Sequence, residues 1–97
     1  MMNLEQFYLL KLAEECSEVA QRALKQMQFG KNEIQKDQAL TNSMRLRAEL
    51  NDLLSVIKIL EEMSEIPRVH DLDEYIKMKR AKLEKYLEYS RDLGLVG

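Results

Sequence analysis

Leu46-Arg47-Ala48-Glu49-Leu50-Asn51-Asp52-Leu53-Leu54-Ser55-Val56-Ile57-Lys58-Ile59-Leu60 is the stretch whose reading decides the fold. At about 100° per residue, Leu46, Leu50, Leu53, Leu54, Ile57 and Leu60 share one arc of a helix, and Val56, Ile59 and Met63 widen it. Glu49 and Asp52 lie inside that arc, one turn apart on the same side. A carboxylate on a packing face is forced to protonate or needs a charge of opposite sign, so this pair asks for a partner. The helix is expected to start at Asn42 or Ser43 and to run to about Glu65, where Pro67 ends it.

Working outward, an earlier helix is expected over residues 4–29, with Asn3 and Gln6 spaced as a capping box and Gly30 as the stop. Its apolar arc is Leu9, Leu12, Ala13, Cys16, Val19, Ala20, Ala23, Leu24 and Met27, with Glu15 at the edge and Glu18 beside it. The segment Lys31–Thr41 is polar and reads as a connector with room for one helical turn. Asp71 followed by Glu74 marks the start of a third helix that runs to about Leu93, with Gly94 at its end. On it, Tyr75, Met78, Leu83, Tyr86 and Tyr89 share a side with Lys79 and Lys82, whose stems cover apolar surface while the ammonium groups reach for an anion. The expected class is therefore all-α, with three long helices in a single domain over residues 1–97.

Composition agrees: one Pro and three Gly leave the helices unbroken, and a β-rich fold has no support. With Lys+Arg 15 against Asp+Glu 17 and a net charge of −2, a general nucleic-acid-binding surface is not expected. A chain of 97 residues buries a limited core, so a helical partner chain is expected to cover the remaining apolar surface. The one cysteine, Cys16, sits on the apolar arc and is expected to be buried in a reducing compartment. No cleavable leader pattern and no apolar run of the roughly 20 residues that span a bilayer are seen, so the expectation is a soluble, cytoplasmic protein with no membrane partner.

The pair Glu15/Glu18, within Glu14-Glu15-Cys16-Ser17-Glu18, repeats the spacing of Glu49/Asp52, and two facing helices would bring the pairs together. Carboxylates without histidine or cysteine select hard divalent cations, so magnesium or manganese is expected rather than zinc. His70 lies in the loop after Pro67, outside any such pair. Magnesium on carboxylates most often serves phosphate chemistry, and the absence of a GxxxxGK[ST] loop excludes a P-loop enzyme.

Glu14-Glu15-Cys16-Ser17-Glu18 followed by Glu49-Leu50-Asn51-Asp52 resembles the EExxE…ExxD pattern of the MazG-like, all-α nucleoside triphosphate pyrophosphohydrolases. Lys11-Leu12-Ala13 ahead of the first motif and Lys82-Leu83-Glu84-Lys85-Tyr86-Leu87 with Tyr89-Ser90 extend the likeness to small phage and bacterial members. The resemblance implies magnesium-dependent hydrolysis of a nucleoside triphosphate, a deoxynucleotide above all, to the monophosphate and pyrophosphate. It also implies a helical bundle completed by a homodimer or homotetramer. Carried over by motif, the metal ligands are Glu15, Glu18, Glu49 and Asp52. Glu14 and Glu15 take the catalytic roles, Glu14 as a further ligand or by orienting the water. Lys79, Lys82 and Tyr86 are the candidates for holding substrate. A phosphoribosyl-ATP or nucleoside diphosphate hydrolase of the same fold, and a non-catalytic helical interaction protein, are the alternatives. The gap between the acidic motifs is longer than usual for the family, and Asn51 stands where many relatives carry glycine.

Overall fold

The computed structural model describes residues 1–97 and is all-helical: α1 spans Leu4–Phe29, α2 Asn42–Glu62 and α3 Leu72–Asp92. The chain divides into two compact units, Met1–Pro67 and Arg68–Gly97, so α1 and α2 form the first and α3 the second. No helix is long and apolar enough to cross a membrane.

α1 starts where a full capping box closes: the Asn3 side chain accepts from the Gln6 backbone N–H at 2.8 Å, and the Gln6 side chain accepts from the Asn3 backbone N–H at 3.0 Å. It stops at Gly30, whose φ of 89° is one that a side chain would strain, and whose N–H donates to the Gln26 carbonyl at 2.8 Å. The N-cap of α2 is Thr41, one residue before the expected start: its side chain accepts from the Met44 N–H at 3.2 Å. α2 also ends sooner than Pro67 would require. Ser64 takes a left-handed φ of 61°, and the Glu65 N–H donates to the Leu60 carbonyl while the Ser64 N–H donates to that of Glu61, both at 3.0 Å. These two bonds make a Schellman closure, which satisfies the last carbonyls before proline is reached.

The connector carries no helical turn. Ile34 and Thr41 form an isolated antiparallel bridge, and the Asn42 and Ser43 N–H groups donate to the carbonyls of Glu33 at 3.0 Å and Lys31 at 3.1 Å. Asn42 locks this loop. Its side chain is buried, with 1% exposed, and Nδ2 donates to the Gly30 carbonyl at 2.8 Å and to Glu33 Oε1 at 3.2 Å. The end of α1 is thereby tied to the start of α2, and the two helices run antiparallel.

Between them lies a seam with coiled-coil spacing. On α1, Tyr8, Leu12, Glu15, Val19, Arg22 and Gln26 are half-buried at alternating four- and three-residue steps. On α2, Asn42, Leu46, Glu49, Leu53, Val56, Leu60 and Met63 do the same, Asn42 and Leu60 being fully buried. Leu60 is the only fully buried hydrophobic residue.

This seam corrects one sequence expectation. The strongly apolar line of α1, Leu9, Ala13, Cys16, Ala20, Ala23 and Met27, has the same spacing displaced by one residue, about 100° around the helix, and all of it is exposed. Cys16 is therefore exposed rather than buried, and Met27 keeps 73% of its surface open. Glu15 is central to the inward face rather than at the edge of the packing arc. In the second unit, α3 begins at Asp71, whose side chain accepts from the Glu74 N–H at 3.3 Å, and ends with Gly94 at a φ of 74°. No residue of α3 is fully buried.

Candidate metal centre

Midway along the α1–α2 seam, Glu15 and Glu18 from α1 meet Glu49 from α2, with one carboxylate oxygen from each lying within 4.8 Å of the others. The seam spacing explains the meeting. Glu15 and Glu49 occupy inward positions on antiparallel helices whose register is set at the Asn42 lock, and Glu18 stands one turn beyond Glu15 on its flank. Glu15 and Glu49 are half-buried and Glu18 is exposed, so the group lies between the helices with one side open to water.

Like charges this close oppose one another's ionisation. The Glu15 carboxyl is raised above its ordinary value of 4.5, first by desolvation, then by the charges of Glu18 and Asp52, a hydrogen bond with Glu18 and the charge of Glu14. The Glu49 carboxyl is raised as well, first by a carboxyl-to-carboxyl hydrogen bond with Glu18, which needs a proton between them, then by desolvation and by the charges of Glu18, Asp52 and Glu15. One oxygen of each, Oε2 of Glu15 and Oε2 of Glu49, is enclosed and has no hydrogen-bond partner. No cation pairs with them: Lys11 is ion-paired to Glu14 at 3.1 Å, Arg45 donates to Gln35 Oε1 at 2.8 Å, and Nη1 of Arg22, one turn past Glu18, meets no acceptor.

Enclosed, unpartnered carboxylate oxygens beside like charges are the environment that a bound cation relieves. The donor set is all oxygen, with no histidine or thiolate in the group, and fits magnesium or manganese better than zinc.

The other expected site residues fall in different places. Asp52 is exposed and outside the group of three, but its charge reaches both Glu15 and Glu49. Glu14 is exposed and held by Lys11, and of the charges acting on Glu15 its own is the smallest. Lys79, Lys82 and Tyr86 are exposed residues of α3, in the second unit. Lys82 and Tyr86 line one open groove of α3 with Lys85 and Tyr89, while Lys79 lines another with Ile76, Arg80, Leu83, Glu84 and Leu87. The Asn42 side chain is committed to the loop, donating to the Gly30 carbonyl and to Glu33. Arg22, which the acidic motifs do not contain, is half-buried on the inward seam. Its signal was the seven-residue step from Glu15 along the inward seam.

Comparison with protein-family models, curated proteins and solved structures finds no match for this chain. The class that fold and site define is thus an all-α protein whose first two helices form an antiparallel hairpin with converging glutamates between them.

Proposed function

We propose that this chain is a MazG-like, magnesium-dependent nucleoside triphosphate pyrophosphohydrolase, which adds water to a nucleoside triphosphate and releases the monophosphate and pyrophosphate. The observation that carries the reading is the convergence of Glu15, Glu18 and Glu49, from helices separated by the 12-residue connector 30–41, with two enclosed oxygens left unpartnered. Glu15, Glu18 and Glu49 would hold the ion, and Asp52 would complete the set from α2. The ion, when bound, supplies positive charge to the triphosphate and lowers the pKa of a water. Glu14 and Glu15 take the catalytic roles, Glu14 orienting the attacking water from the exposed flank. Lys79, Lys82 and Tyr86 take the role of holding substrate.

The working form is a homodimer or homotetramer. Its support is the exposed line Leu9, Ala13, Cys16, Ala20, Ala23 and Met27 on α1, uncharged over five turns of an otherwise acidic chain, so that two copies meet there without opposing charges. The line reads almost the same in both directions, large residues at its ends and small ones between, which suits an antiparallel contact with a second copy.

Incubating the protein with each ribo- and deoxynucleoside triphosphate and Mg2+, and measuring monophosphate and pyrophosphate, tests the activity. Turnover that Glu49→Gln abolishes is expected. Turnover unchanged by that substitution, or none with any nucleotide, sinks the reading. Release of orthophosphate, or action on a diphosphate or on phosphoribosyl-ATP alone, moves the reaction to another hydrolase of this fold.

A further inference from the structure

We propose that Arg22 is the residue that binds the phosphate chain of the substrate, taking the anion one helical turn beyond the carboxylates that hold its cation. This rests on the metal-centre reading above and adds to it a residue that the acidic motifs do not contain.

Four cationic side chains of the hairpin are half-buried, and they differ in what they meet. Lys11 pairs with Glu14 at 3.1 Å, Lys25 lies 5.6 Å from the centre of the Phe29 ring, and Arg45 donates to Gln35. Arg22 has no such partner: its Nη1 is enclosed and meets no acceptor. The omission is notable because Glu18 stands four residues earlier, in the order and spacing that favour an ion pair along a helix. Instead Glu18 stands with Glu15 and Glu49, one carboxylate oxygen of each within 4.8 Å of the others, while a guanidinium goes unused on the next turn.

Like charges together and an opposite charge left alone form a costly arrangement in the free protein. A ligand with both a cation and an anion resolves both halves at once. The carboxylates take the cation, and the guanidinium, whose planar fork matches phosphate oxygens, takes the anion. The step from Glu18 to Arg22 is about 6 Å of helix rise, on the scale of one phosphate group with a ligand on each side. The competing use of the enclosed Nη1 is a water shared with Gln26 Oε1, also enclosed and unpartnered one turn further along α1.

Isothermal titration calorimetry of inorganic pyrophosphate in excess Mg2+ separates the two, with wild type, Arg22→Gln and Arg22→Lys compared and Mn2+ binding followed by electron paramagnetic resonance. Arg22→Gln is expected to weaken pyrophosphate at least about tenfold and Arg22→Lys by less, while Mn2+ affinity stays within about twofold. Circular dichroism checks the fold. If Arg22→Gln does not fold, Arg22→Lys, which keeps the charge and loses the fork, decides by the same comparison. Pyrophosphate affinity unchanged in Arg22→Gln, with or without a shift in melting temperature, overturns the proposal in favour of the shared water. Wild type that binds Mn2+ through Glu49 but no pyrophosphate overturns it and leaves the metal reading intact. Wild type that binds no Mn2+ removes both.

Discussion

Glu49→Gln separates the cation reading from a merely structural one, because it changes the charge of the site's one α2 glutamate and hardly its volume. Glu15 and Glu18 both belong to α1, so an ion bound by all three carboxylates ties α1 to α2 through Glu49. An ion that binds only the folded hairpin at a hundred times its dissociation constant stabilises it by about 2.7 kcal/mol. For a domain of this size that raises the melting temperature by about 10–20 °C. Removing one charged ligand costs about 1.5–3 kcal/mol of binding, roughly a 10- to 150-fold weaker site. At the same Mg2+ concentration the stabilisation falls to about 0.3–1.4 kcal/mol, and the shift to about 1–11 °C. Differential scanning fluorimetry at pH 7, with Mg2+ or with EDTA, measures both. In EDTA the variant is expected to melt no lower than wild type, since it loses a charge that the neighbouring carboxylates oppose. Glu62→Gln, at an exposed position of α2, is expected to keep the wild-type Mg2+ shift. Equal Mg2+ shifts in wild type and Glu49→Gln would refute the reasoning.

Three further outcomes follow from the same structure. Because the folded-state carboxyls of Glu15 and Glu49 are raised above 4.5, the folded chain binds more protons than the unfolded one above that pH; stability in EDTA is therefore greatest at or below about pH 4.5 as far as these two groups are concerned, and is lost as pH rises through their raised values. Melting at stepped pH with and without Mg2+ checks this, and an EDTA profile that shows no such loss once Glu49 is made Gln identifies the group responsible. Leu60→Ala, at the one fully buried hydrophobic position, is expected to destabilise by about 2–5 kcal/mol in urea unfolding, whereas Leu54→Ala, with 55% of its side chain open, costs far less. Ala20→Arg puts charge in the middle of the exposed α1 line and is expected to shift light-scattering mass from the oligomer to 11.4 kDa with helicity kept; an intact oligomer places the contact elsewhere.

Local chemistry was the legible part of this fold. Asn3 and Gln6, Gly30, Asp71 and Gly94 act through groups within a few residues of one another, and the three helices lie where those signals put them. Where a boundary depended on a more distant feature the reading slipped: Pro67 suggested an end for α2 that the left-handed Ser64 reaches first, and the connector's polar composition concealed a bridged loop locked by Asn42. The candidate site was legible as spacing. Glu15, Glu18 and Glu49 could be named because a three-residue step fixes which side chains share a helix face, whereas the upward shifts of Glu15, led by desolvation, and of Glu49, led by the Glu18 carboxyl, depend on the packing of α1 against α2.

The sequence by itself determined that this protein is helical, where each helix begins and which acids stand one turn apart, since all of these are set within about four residues along the chain. Only tertiary structure decided which of two equally spaced lines on α1 turns inward. The apolar arc read from the sequence spans both lines, with Leu12 and Val19 on one and Leu9, Ala13, Cys16, Ala20, Ala23 and Met27 on the other; the hairpin uses the first, Tyr8, Leu12, Glu15, Val19, Arg22 and Gln26, and leaves the second exposed. The choice depends on the rotation of α1 against α2, fixed by the tie from Asn42 to the end of α1 and by packing along the whole seam. A rotation of about 100° separates a helix that buries its alanines from one that carries Glu15 and Arg22 into the interface and leaves its most apolar line free for another surface.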